Sequence, residues 1–308
     1  MIDFRYHLVS LISVFLALAV GVVLGAGPLQ NSLGTALNDQ VTSLRENRKA
    51  MQAQLEQTEA AVNDRDDYIA AAAAAYLPGT LEGKKVALAV LPEAKSDDID
   101  AIIAQLEAAG GAINGRVSLT TAWTDPSREA FRESYSGQLA GHLGKTVSTD
   151  GNGVLGEGLG AALTGDAQTA KQLMDLLTAT DAPLVSVDTR LNGPADMIVV
   201  IGPRSPDATE TRDSETTDSL TQAASSWAEA LTGTAAVSTT VVVGGADDET
   251  DAVSALRTAK AAVTTIDSVG QVAAAVSTPL ALASTASGTK RHYGFDKGAD
   301  AVMPPLPK

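Results

Sequence analysis

Residues 8–27 read LVSLISVFLALAVGVVLGAG, a run of twenty without a charged side chain. As a helix rising about 1.5 Å per residue it spans about 30 Å, the hydrocarbon thickness of a bilayer. A cleaved signal peptide is the competing reading. It would have a shorter apolar stretch, a more basic leader than MIDFRYH and a small-residue cleavage site that Pro28 does not suit. An uncleaved anchor fits better. Arg5 precedes the run and the next basic residue is Arg45, so basic-residue placement puts residues 1–7 in the cytoplasm and the bulk outside it. Phe4 and Tyr6 suit an interfacial aromatic anchor. Ser13, Ala17, Gly21 and Gly25 recur every fourth residue, the spacing that lets two membrane helices approach closely. Small residues are also common elsewhere in this chain, so the spacing has an ordinary explanation as well.

Beyond Gly27, Pro28 and Gly34, apolar residues take up a heptad pattern. Leu37, Leu44, Met51, Thr58 and Arg65 form one series; Val41, Arg48, Leu55, Val62, Ile69 and Tyr76 form the other. Over residues 35–77 this predicts a coiled coil, with β-branched residues at a and Leu at early d positions favouring a parallel homodimer. Its expected contacts are Leu37, Val41, Leu44, Met51, Leu55, Val62 and Ile69, continuing the small face Ala17, Gly21 and Gly25. An amphipathic helix lying on its own globular domain fits the same pattern. Pro78 and Gly79 end the helix.

From residue 83 to 290 the pattern becomes α/β. VALAVL (86–91) is a short apolar run suited to a strand buried on both faces. A helix with Ile99, Ile102, Ile103 and Leu106 follows, then a strand with Ile113, Val117 and Leu119. Further strands are expected at 184–187, 197–201, 237–243, 263–266 and 280–283. Helices are expected at 220–231, 251–260 and 271–276. Residues 126–180 read as largely helical and 205–219 as a flexible polar loop. The fold class is therefore a transmembrane helix, a coiled-coil stalk and a mostly parallel, Rossmann-like α/β sheet domain. An extended segment, 291–308, closes the chain. It concentrates aromatics and glycines in a chain only 4% aromatic, and reads as a docking segment, a site loop or a terminal strand on the sheet.

Composition narrows the chemistry. The net charge of −15 disfavours nucleic acid. With no cysteine, disulfides and thiolate sites are excluded. Gly151-x-Gly153-x-x-Gly156 matches a dinucleotide fingerprint as a string, but no strand precedes it. The acidic turn 247–251 could hold a hard cation or simply open a helix. Neither a catalytic constellation nor a resident cofactor is expected. For a soft metal, His142, His292 and Met303 are the available ligands.

The opening MIDFRYHLVSL, the glycine-ended apolar span, the KKVALAVL strand and the terminal His292-Tyr293-Gly294 with Gly298-Ala299-Asp300 and Pro304 resemble the actinobacterial copper-transport (MctB-like) family, over essentially the whole chain. The resemblance implies copper export or homeostasis at the envelope, with an outer-membrane location as one alternative. A second expectation, from the residues themselves, is a non-enzymatic scaffold for envelope or division proteins. A third is a sensor binding a small ligand at the carboxyl ends of the strands.

Overall fold

The computed structural model describes residues 4–26, 28–179, 183–206 and 212–306. The chain forms two compact units, Met1–Arg65 and Asp66–Lys308. In the first unit lies α1, Phe4–Ala26, whose side chains are exposed from Phe4 to Gly25. The long helix α2, Pro28–Tyr76, begins there and ends in the second unit. Gly27, where a break between membrane and stalk is expected, lies outside the described residues.

Along α2, Leu37, Val41, Leu44, Met51, Leu55 and Val62 are all exposed. The last turns differ. Ala73 and Leu77 are buried, and Ile69 and Tyr76 pack beside them against the core of the second unit. That i, i+4, i+7, i+8 stripe is the apolar face of a helix seated on a domain. Ile69, expected in a dimer seam, is therefore engaged within its own chain.

The second unit is built on seven strands: β1 (Lys85–Val90), β2 (Ala112–Leu119), β3 (Val185–Thr189), β4 (Met197–Ile201), β5 (Thr240–Val243), β6 (Thr264–Ile266) and β7 (His292–Tyr293). Their order is β3-β2-β1-β4-β5-β6-β7. All neighbours run parallel except β2 and β3. Strands β1, β4 and β5 are apolar on both faces, which requires cover on each side. One face packs on α3 (Ser96–Ala108), α9 (Val272–Ala286) and the end of α2. The other packs on α4 (Glu129–Leu143), α5 (Gly151–Thr164), α6 (Ala167–Thr178), α7 (Ser214–Val237) and α8 (Ala252–Thr258). There Trp123 stacks on Trp227 with ring centroids 5.9 Å apart, and its indole N–H donates to the Leu184 carbonyl at 2.7 Å.

Several sequence expectations are corrected. Residues 280–283 are not a strand but lie inside α9, which runs through Pro279. A short apolar run carries no period to separate helix from strand, and Pro279 suggested a stop that the buried packing overrides. The terminal strand is instead β7, in line with one of the readings of the closing segment. Residues 237–239 precede β5 rather than forming it, because α7 continues to Val237. The expected loop 205–219 is helical from Ser214, where the Asp213 side chain caps α7 by accepting from the Thr216 N–H at 2.8 Å. Residues 207–211 of that loop lie outside the described set.

The glycine string has a packing role. Gly151, Gly153 and Gly156 are all within α5, and α5 lies tightly on α7. A Cβ at Gly156 would collide with the Ala230 carbonyl, and one at Gly233 with the Gly153 carbonyl. Thr234 Oγ1 donates to the Gly156 carbonyl at 3.0 Å, locking the crossing. Glycine costs about 1 kcal/mol against alanine in a helix interior, and here it is what permits the backbones to meet. Gly156→Ala is thus expected to destabilise the domain by about 1–3 kcal/mol through overpacking. Gly137→Ala, in exposed α4 with nothing within 4 Å, is expected to stabilise by up to about 1 kcal/mol. Thermal unfolding of the two variants checks the opposite signs.

Candidate functional site

Strand order reverses on either side of β1, since β1 is followed by β2 on one side and paired with β4 on the other. Ligand crevices in open α/β sheets form at the carboxyl ends of strands near such a reversal. Here those ends carry most of the buried charge. After β4, Arg204 makes a two-pronged pair with Asp98 in the first turn of α3, Nε to Oδ2 at 2.8 Å and Nη2 to Oδ1 at 2.5 Å. The Asp98 hydrogen bond holds the Arg204 guanidinium above its ordinary pKa. Next to it, Ser205 Oγ donates to Asp251 Oδ2 at 2.6 Å and accepts from the Asp247 N–H at 3.1 Å. Burial pushes the Asp251 carboxyl up, against the lowering effect of that hydroxyl. This arrangement commits Ser205 to joining the loops after β4 and β5.

At the ends of β6 and β7 lies a second pair. Arg257 of α8 and Asp267 after β6 are both buried, with Nη1 2.9 Å from Oδ2. Arg257 Nη2 donates to the Tyr293 carbonyl at 2.9 Å, Nη1 to the Lys297 carbonyl at 3.2 Å and Nε to Thr265 Oγ1 at 3.2 Å. Asp267 accepts from Ser268 Oγ at 2.8 Å, the Phe295 N–H at 2.8 Å and the Asp296 N–H at 3.0 Å. Gly294, at φ 130°, sits so close to Asp267 that any side chain there would collide with the carboxylate. Removing either partner of a pair this buried leaves an uncompensated charge, at a cost of about 3–5 kcal/mol. The sequence flagged the aromatic-glycine segment that these groups hold. It offered no signal for Arg257, whose partners lie 8 to 40 residues away.

The expected soft-metal ligands are dispersed. His142 is exposed in the last turn of α4, where a cation suits the helix dipole. Helix α4 packs on α5 and α6, and α6 lies against β3. His292 belongs to β7, at the opposite sheet edge. Its Nδ1 is 2.9 Å from Thr265 Oγ1, which also accepts from Arg257 Nε. Burial, then Arg257, lowers the His292 pKa and favours the neutral ring. Met303 is exposed in the closing segment. Among the described residues no group of three or more His, Asp or Glu side chains could hold a metal ion.

The model of a family described as "Copper transport outer membrane protein, MctB" matches residues 1–304 of the chain. Proteins named "Copper transporter MctB" from Mycobacterium tuberculosis, Mycobacterium bovis and Mycobacterium leprae are each 32% identical to it over 173 residues. The aligned region spans about half the length of these curated relatives, 55% of each, and 55% of this chain. An open, two-face-covered α/β domain behind an apolar N-terminal helix is thus what this sequence builds on a framework matched over nearly its full length, and the chain belongs to the MctB family.

Proposed function

We propose that this chain is a membrane-anchored, non-enzymatic component of copper homeostasis at the cell envelope, with copper as cargo of the process rather than a resident cofactor. The observation that carries the copper role is the family match over residues 1–304. Anchoring is supported by α1. Its segment Phe4–Gly25 has a mean hydropathy of 2.7 and is wholly exposed, and an apolar surface of that extent needs lipid around it. Residues 1–7 face the cytoplasm in this reading, and the Rossmann-like domain stands outside the cell membrane. The family description names the outer membrane; the anchor proposed here is a helix, since the sheet is open and its central strands are covered on both faces.

The assembly proposed is a parallel homodimer. The exposed row Leu37, Val41, Leu44, Met51, Leu55 and Val62 at heptad spacing supports it, with Ala17, Gly21 and Gly25 forming the close face within the membrane. A second reading, a scaffold for envelope or division proteins that does not touch copper, is favoured by the dispersal of His142, His292 and Met303. The two readings meet in one expectation, that any copper role does not run through these three side chains.

In a strain lacking the gene and grown at raised copper, cell copper is expected to rise severalfold and to return to normal on complementation. The His142→Ala, His292→Ala, Met303→Ala triple variant should complement as well as wild type, measured by mass spectrometry of cell copper. Loss of complementation by a folded triple variant would establish direct coordination. Unchanged copper in the deletion strain would leave the scaffold. The dimer has its own test, because the chain has no cysteine. Under oxidation Leu44→Cys in the seam should cross-link into a dimer on a non-reducing gel, and Ala53→Cys on the outer face should not.

A further inference from the structure

Asparagine is followed by glycine at three places in the chain, Asn114-Gly115, Asn152-Gly153 and Asn192-Gly193. Such a pair is open to attack on the side-chain amide by the next backbone nitrogen, because glycine sets no Cβ beside that nitrogen and leaves its backbone free to turn. The fold treats the three differently. Asn114 is buried in β2, where Gly115 pairs with Ala87 of β1, and its Nδ2 donates to the Gly193 carbonyl at 2.7 Å. Asn152 lies in the first turn of α5. Its Oδ1 accepts from Arg132 Nε at 3.0 Å and its Nδ2 donates to Glu229 Oε2 at 2.8 Å, while the Gly153 N–H donates to Asp150 Oδ1 at 2.6 Å. At both places the side-chain amide is held by a partner and the following peptide belongs to regular structure.

Asn192 and Gly193 are instead exposed, in the turn between β3 and β4. Among the described residues, neither the Asn192 side chain nor the Gly193 N–H is hydrogen-bonded. Gly193 is at φ 83°, and nothing lies within 4 Å of where its Cβ would stand. The turn is tied down by other groups. The Asn192 N–H donates to the Asn114 carbonyl at 3.2 Å, and the Gly193 carbonyl accepts from Asn114 Nδ2. The reacting amide and the attacking nitrogen are thus neighbours on an anchored turn, and neither is committed elsewhere.

We propose that Asn192-Gly193 is a self-modifying site, at which the chain loses the Asn192 side-chain amide through a succinimide without help from an enzyme. The Gly193 N–H gives its proton to solvent base, and the nitrogen bonds to Asn192 Cγ. The Cγ–Nδ2 bond breaks, and Nδ2 takes a proton from solvent and leaves as ammonia. Water then opens the ring at one of its two carbonyls. Opening at Cγ restores the ordinary backbone and leaves Asp. Opening at the main-chain carbonyl leaves a backbone that runs through Cγ. In sum one water is consumed and one ammonia released, with no oxidant or reductant. Each product adds a negative charge. The Cγ-linked product also inserts a carbon between the Asn192 N–H and the Gly193 carbonyl, the two groups that hold the turn to Asn114. It therefore loosens the β3–β4 turn from β2, in one direction only. This inference stands on the fold and is independent of the copper role.

The test is peptide mapping by mass spectrometry on the full chain in lipid nanodiscs, held for days in heavy-oxygen water at neutral and mildly alkaline pH and digested afterwards in ordinary water. Asn192 should convert, faster at the higher pH because the Gly193 nitrogen attacks once deprotonated, and its product should carry one heavy oxygen. Asn114 and Asn152 should convert about 100-fold more slowly, the cost of holding the reacting atoms out of line. In urea-unfolded chain all three should convert alike. Asn192→Gln, which must close a larger ring, should abolish the change in its peptide. An Asn192 that persists in the folded chain while the unfolded chain converts overturns the site. So does equal conversion of all three in the folded chain, or a mass change that survives Asn192→Gln.

Discussion

The second unit depends on covering a sheet whose central strands are apolar on both sides. Strands β1, β4 and β5 present no polar face, so neither side can meet water. At about 25 cal/mol per Å² of apolar surface, each uncovered large side chain would forfeit about 1.5–3 kcal/mol. One face has five helices of its own. Among the described residues the other has α3 and α9, and the end of α2 completes it with Ile69, Ala73, Tyr76 and Leu77. A helix that starts in the first unit is thereby a structural member of the second.

The same demand shapes the five-helix face. With few aromatics, the layer is closed by bringing backbones together, which is why α5 is rich in glycine and meets α7 through carbonyl contacts. Close-packed interiors gain from dispersion only when voids are absent, and glycine-mediated approach achieves this with small side chains. The dinucleotide-like string is a product of that packing. Its glycines serve a helix crossing rather than a phosphate.

At the carboxyl edge, buried charges replace apolar filling. Buried Asp98 with the exposed Arg204, and the fully buried pair Asp267 with Arg257, tie segments distant in sequence, and the second pair is surrounded by donors and carbonyls that satisfy it. Pairs of this kind add little net stability over a well-packed apolar core, and their value lies in admitting a single arrangement of the loops they join. In this chain the Arg257–Asp267 pair holds the terminal segment that carries the family-like His292-Tyr293-Gly294 motif.

Residues 8–27, 86–91 and 197–201 announced the apolar helix and the central strands unaided, because each is a continuous apolar run bounded by charge or by turn residues. The heptad row of 37–62 is a local repeat, and the structure shows its side chains exposed along α2. Local pattern could not say that Ile69 turns its face to the domain, since that face has the same spacing whether it meets a partner helix or a sheet. Nor could it distinguish strand from helix at 280–283, where every position is buried and the period disappears. The Arg257–Asp267 clasp was beyond it altogether. Those residues meet only once β5, β6 and β7 are laid side by side, and burial, which gives their charges consequence, is a property of the assembled sheet.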